Sequence, residues 1–184
     1  MKKIAILFPG IGYTSDRPLL HGAKMLAQEQ GFQVIDVTYS GFPKDIRGDA
    51  AKMQQSFEIA LDQTERLLKT EDFRDIDKNN LLFVSKSIGT AVAGAYQKKH
   101  GISGKNIYFT PLAQSFPFLS PKSGIVFHGT SDPWAETESI KQGCRQLELP
   151  LYLTEGANHS LETGDKYRDE AILKDVMKLC LCYL

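Results

Sequence analysis

The sequence is short of several things that would point to a partner or a compartment. Charge of one sign is missing: Lys plus Arg and Asp plus Glu are both 22, a formal net charge of zero. Nucleic acid and anionic membrane surfaces are held by a basic excess or patch. No Lys/Arg cluster here is longer than the pairs Lys2-Lys3 and Lys98-Lys99, so neither partner is expected. Long apolar runs are missing too. No stretch approaches the roughly 18 residues needed to span a bilayer, and the leading run Ile4 to Phe8 stops at Pro9-Gly10, too short for a signal peptide. Cysteine is scarce. Cys144, Cys180 and Cys182 make no zinc spacing and no disulfide framework, which suits packing thiols in a cytoplasmic protein. The four histidines, His21, His100, His128 and His159, have no paired ligand spacing, so no metal and no other cofactor is expected. Repeats, low-complexity tracts and linkers are absent, and the chain reads as one domain over 1–184.

What is present is an alternation of short apolar runs with amphipathic stretches. Ile4 to Phe8 is a continuous apolar run, as in a strand buried on both faces. Further strands are expected at Phe32 to Tyr39, Leu81 to Val84, Asn106 to Thr110, Gly124 to His128 and Pro150 to Thr154. Helices are expected between them: Pro18 to Gln30, Asp49 to Leu68, Ile88 to about Lys99, Glu136 to Leu147 and Lys166 to Cys182. The pattern predicts an α/β fold: a single doubly wound, mainly parallel six-stranded sheet with helices on both faces.

Three segments carry chemistry. Leu81 to Val84 runs through Ser85-Lys86 into Ser87, and Ile88-Gly89-Thr90-Ala91 begins a helix built of small residues. A serine there sits on a tight strand-to-helix turn that needs small neighbours two before and two after, and Ser85 and Gly89 meet that need. The helix N-terminus behind Ser87 favours developing negative charge. A later strand ends in His128-Gly129-Thr130-Ser131-Asp132-Pro133-Trp134, and the last strand leads into Gly156-Ala157-Asn158-His159-Ser160. Taken singly each is ordinary, since Ser-Asp-Pro favours a turn whatever the function. Taken together, Ser87, Asp132 and His159 all fall at the C-terminal ends of predicted strands, where open α/β sheets build their sites.

The Ser87 segment resembles the G-x-S-x-G elbow of the α/β-hydrolase superfamily, with Ser85 where the first glycine usually stands. The order Ser, Asp, His is also the order of that superfamily. The chain is similar to its small lidless serine hydrolases, esterase-like or dienelactone-hydrolase-like. Only Pro111 to Ser123 stands where larger relatives insert a cap. The resemblance implies Ser87 as nucleophile, His159 as base and Asp132 as the orienting acid, acting on an acyl carbonyl of a small-molecule substrate. It also implies an oxyanion hole of the Ile88 and Ile11 backbone N–H groups, Ile11 lying in the Pro9-Gly10-Ile11-Gly12-Tyr13 loop. Tyr13, Phe42, Leu112, Phe116 and Trp134, with Phe118, are the expected borders of a shallow apolar site that suits a small acyl or aryl ester better than a charged one. Two other readings remain open. Gly10-x-Gly12-x-x-Ser15 with Asp36 partly matches a dinucleotide fingerprint, without its third glycine, and a binding protein can keep a hydrolase scaffold without its chemistry.

Overall fold

The computed structural model describes residues 2–184. Six strands form one sheet: β1 (Ile4–Phe8), β2 (Gln33–Asp36), β3 (Leu81–Lys86), β4 (Lys105–Phe109), β5 (Gly124–Gly129) and β6 (Leu151–Thr154). Their order is β2-β1-β3-β4-β5-β6, and every neighbouring pair is parallel. The chain steps from β1 outward to β2 and then back across to β3. The reversal therefore opens a crevice beyond the C-terminal ends of β1 and β3, where ligands bind in sheets of this kind.

Period-two alternation sorts the strand side chains into two cores. Ala5, Leu7, Leu82, Val84, Ile107, Phe109, Ile125 and Phe127 face α1 (Pro18–Glu29) and α5 (Lys166–Tyr183), meeting Leu19, Leu20, Ala23, Val176 and Cys180. Ile4, Ile6, Phe8, Leu81 and Phe83 point the other way, toward α2 (Ala50–Leu67) and α3 (Ile88–His100), where Ala60, Val92, Ala93 and Tyr96 receive them. On that same face Tyr108 and Val126 pack with Ile140 and Cys144 of α4 (Thr137–Gln146). β1, β3 and β5 are buried along their whole length, and that two-sided burial is why Ile4 to Phe8, Leu81 to Val84 and Ile125 to Phe127 read as apolar runs.

Two expected elements differ in extent. The second strand covers Gln33–Asp36 rather than Phe32 to Tyr39. Val37 N–H still reaches Leu7 O at 3.0 Å, but β1 ends at Phe8, so the residues beyond have no ladder to join. The Pro111 to Ser123 loop contains a 3₁₀ helix, Ala113–Phe118, pressed so closely on α3 that a Cβ at Gly94 would stand 2.6 Å from Phe118 O. No helix is long and apolar enough to cross a membrane among the described residues.

Candidate active site

β3 delivers Ser87 to the crevice through a backbone turn that few residues adopt. Ser87 has φ 56° and ψ −125°, a region costly for any residue with a Cβ and tolerated where the surroundings over-determine it. They do so here. Ser87 N–H donates to Phe109 O at 3.0 Å, and Thr90 N–H donates to Ser87 O at 3.0 Å. The Thr90 hydroxyl also donates to Ser87 O, at 2.7 Å. The turn brings the first residues of α3 hard against the end of β1, where a Cβ at Gly89 would meet Phe8 O at 2.3 Å and Pro9 O at 2.5 Å. Only glycine fits. Two residues before Ser87, Ser85 is fully buried, its hydroxyl 3.4 Å from Ile107 O.

β5 and β6 deliver the other two groups. Their following loops are clasped: a Cβ at Gly129 would lie 2.3 Å from Ala157 O, and Ser131 N–H donates to Ala157 O at 2.9 Å. The Asn158 side chain folds the turn after β6 by accepting from Ser160 N–H at 2.7 Å and Glu162 N–H at 3.2 Å, while the Thr110 hydroxyl donates to His159 O at 3.0 Å. The imidazole held this way bridges the other two side chains. His159 Nε2 is 2.8 Å from Ser87 Oγ, and its Nδ1 is 2.7 Å from Asp132 Oδ2. A carboxylate can only accept, so Nδ1 carries the proton and Nε2 is left to accept from the serine hydroxyl. Asp132 Oδ1 accepts from Trp134 N–H at 2.8 Å, so both carboxylate oxygens are engaged.

The electrostatics agree with that assignment. Burial raises the Asp132 carboxyl, but hydrogen bonds from His159 and Trp134 and the nearby imidazoles outweigh it and hold the pKa below its usual value. Burial also disfavours the His159 imidazolium; the Asp132 hydrogen bond opposes this and the Lys86 charge adds to it, leaving the pKa below the ordinary 6.5. His159 is therefore a neutral proton acceptor at pH 7.

The loop after β1 faces Ser87 from the other side. Gly10 and Tyr13 close it with a pair of backbone hydrogen bonds, 3.2 and 3.3 Å, that leave Ile11 N–H outside the pairing. Ile88 opens α3, where a helix N–H has no intrahelical partner. A cleft of about 540 Å³ lies above, lined by this loop, Lys86, Ser87, Ile88, Leu112, Trp134 and His159. An adjoining cavity of about 270 Å³ shares Met53, Ile88 and Leu112 with it and is otherwise walled by Phe57, Ala91 and Phe118 among others.

Of the expected border residues, Tyr13, Leu112 and Trp134 line the cleft, and Phe118 lines the adjoining cavity. Phe42 and Phe116 do not, for the same reason: each finds a better apolar seat. Phe42 packs edge-on against Tyr39, ring centres 6.0 Å apart, beside the core under α2. Phe116 fills the notch at Gly143 of α4, where a Cβ would come within 2.5 Å of its ring. In their place the loop after β2 contributes Pro43, Asp45, Ile46 and Arg47. Lys86 and Arg17 also escaped the sequence reading. Lys86 had a visible signal, a charged residue at the end of a strand whose every other residue is apolar or small, whereas nothing in the sequence marks Arg47. Asp36, the acid a dinucleotide would need, is ion-paired with Lys24. No group of three or more His, Cys, Asp or Glu side chains gathers as a metal site needs among the described residues.

No protein-family model and no curated protein sequence matches the chain. Solved structures do. An α/β serine hydrolase without a lid from Xanthomonas campestris superimposes with a TM-score of 0.62 at 14% identity, covering 99% of this chain and 83% of that one. Est1E from Butyrivibrio proteoclasticus with ferulic acid bound gives 0.70 at 12% identity, over 98% and 89%. A serine hydrolase homologue from Coxiella burnetii gives 0.61 at 15% identity, over 100% and 85%. With its parallel sheet, its helices on both faces and its tight turn after β3, the chain has the α/β-hydrolase fold.

Proposed function

We propose that the chain is a serine hydrolase that cleaves a small ester-type substrate through an acyl-enzyme intermediate. The observation that carries this is the unbroken hydrogen-bond chain from Ser87 through His159 to the buried Asp132 at the floor of a cleft. In this mechanism Ser87 Oγ attacks the acyl carbonyl while His159 Nε2 takes the hydroxyl proton, and Asp132 stabilises the imidazolium that forms. The carbonyl oxygen becomes an oxyanion, met by the N–H groups of Ile88 and Ile11. His159 then returns its proton to the leaving alcohol. Water attacks the acyl-serine with His159 again as base, releasing the acid and restoring the hydroxyl. The free thiols of Cys144, Cys180 and Cys182 fit a reducing, cytoplasmic setting.

The test is labelling by a fluorophosphonate, which reacts with an activated serine. Wild type should label, and Ser87→Ala and His159→Ala should both lose the label. Folded wild-type protein that stays unlabelled would overturn the catalytic reading and leave a binding protein on this scaffold.

A further inference from the structure

The cleft beside Ser87 carries more positive charge than an apolar ester requires. Arg17, Arg47 and Lys86 line it against the one carboxylate of Asp45, in a chain whose charges balance overall. Three of the four other arginines pair with acids, Arg66 with Asp62, Arg74 with Asp72 and Arg145 with Glu138, and the fourth, Arg168, donates to Glu155 O. The cleft cations lean on aromatic rings and backbone instead. Arg47 donates to Pro133 O at 3.1 Å and stands 5.6 Å from the centre of the Trp134 ring. The Arg17 guanidinium lies 5.7 Å, and Lys86 Nζ 4.9 Å, from the centre of the Tyr13 ring.

Lys86 is the one that packing does not explain. Its side chain is 1% exposed, and Asp132 and Glu162, the carboxylates that favour its charge, act on it through space without a hydrogen bond. Holding an ammonium in a residue so little exposed, with no carboxylate hydrogen-bonded to it, is expensive, and a lysine is almost never buried this far without a partner. Methionine would fill the same volume over Tyr13 without that cost. Burial holds the free amine down to about 7, and an anion arriving beside it restores the proton through charge pairing.

We propose that Lys86, with Arg17 and Arg47, binds an anionic group of the substrate, so that the preferred ester carries a carboxylate on one arm and an apolar group on the other. The ester bond rests on the serine-hydrolase reading above; the anion site does not. Lys86 supplies a point charge at the cleft floor, and Arg47 at the rim offers a planar fork to a carboxylate. The adjoining cavity, walled by Met53, Phe57, Leu112 and Phe118, takes the apolar arm, and Ile88, next to Ser87, lines both spaces.

The experiment offers the charge in each arm in turn: 4-nitrophenyl hydrogen glutarate against 4-nitrophenyl pentanoate, and 4-carboxyphenyl butyrate against phenyl butyrate. In one pair wild type should prefer the charged ester by about tenfold or more in kcat/KM, the scale of one charge-assisted hydrogen bond. Lys86→Met should abolish that preference. Arg47→Gln, on the exposed rim, should weaken it and guards against a folding defect in the buried variant. No preference for the charged ester in either pair, or a charged preference that survives both substitutions, overturns the proposal. Should no ester turn over, the serine-hydrolase reading falls and calorimetric titration with glutarate decides the anion site. Saturable heat in wild type that is lost in Lys86→Met upholds the site, and no heat, or heat unchanged by the substitution, overturns it.

Discussion

On one side of the cleft Ser87, His159 and Asp132 pass hydrogen bonds from one to the next until both carboxylate oxygens are engaged. On the other, Lys86, Arg17 and Arg47 line the same space with aromatic rings and backbone for company and no carboxylate in contact. A closed polar network holds its members in one geometry before anything binds, as chemistry on a positioned atom requires. An open set of cations stores an unmet electrostatic demand, and its geometry is completed only by a ligand. On the proposed reading the first half acts and the second recognises.

The largest effect should come from breaking the closed half. Asp132→Asn keeps an oxygen for Trp134 N–H, but its amide can present a donor to His159 and so turn the imidazole to the wrong tautomer. Turnover of 4-nitrophenyl acetate should fall by about 10⁴ with the circular dichroism unchanged, the loss seen where a triad aspartate is replaced. A loss within about tenfold would mean that Asp132 is only the turn former its Ser-Asp-Pro context already permits.

That closed half was legible in the sequence and the two arginines of the open half were not, for a physical reason. Ser87, Asp132 and His159 each come within five residues of the C-terminal end of a strand, so recognising the strand places the residue near the crevice. Gly89 and Gly129 left a mark as well, because close backbone contact at Phe8 O and Ala157 O permits no side chain there. Arg17 and Arg47 sit in irregular segments, between β1 and α1 and between β2 and α2. Which way such a side chain turns depends on packing with no period, and Phe42 shows the hazard: an aromatic of the same loop turned into the core. The strand count, the order of elements and the two-sided burial followed from apolar runs alone, whereas the short β2 depended on where its partner β1 ended.

Next in size is the cost of the open half. With no ligand bound, Lys86 destabilises the native state, because its folded pKa of about 7 lies below the ordinary 10.5 and the unfolded chain binds the proton more tightly. Lys86→Met should therefore raise the unfolding free energy at pH 7 by about 1–3 kcal/mol, the usual scale for a buried unpaired polar group, read from the urea midpoint. The sign reverses common expectation for a core substitution. The gap should narrow between pH 7 and pH 10, where native wild type has shed the proton that the unfolded chain keeps and its own stability rises with pH. A destabilised variant, or a gap that does not narrow, would mean that Lys86 is satisfied within the fold.

The smallest effect reads the coupling between the halves. Activity needs His159 neutral, so kcat/KM should rise with pH through a pKa that lies below 6.5, held there by burial and by the Lys86 charge against the opposing pull of Asp132. Lys86→Met removes a repulsion that the imidazolium feels, so the acid limb should move to higher pH and the relative activity at pH 6 should fall. Added salt should move the wild-type limb the same way by screening that repulsion, and should move the variant's limb less, since the charge to be screened is gone. His128 is buried at the end of β5, with its Nε2 3.0 Å from the Thr137 hydroxyl, and titrates in the same direction. A His128→Gln variant that keeps the shift assigns the limb to His159. A limb that neither substitution at Lys86 nor salt displaces would mean that the two halves of the cleft act without sensing each other.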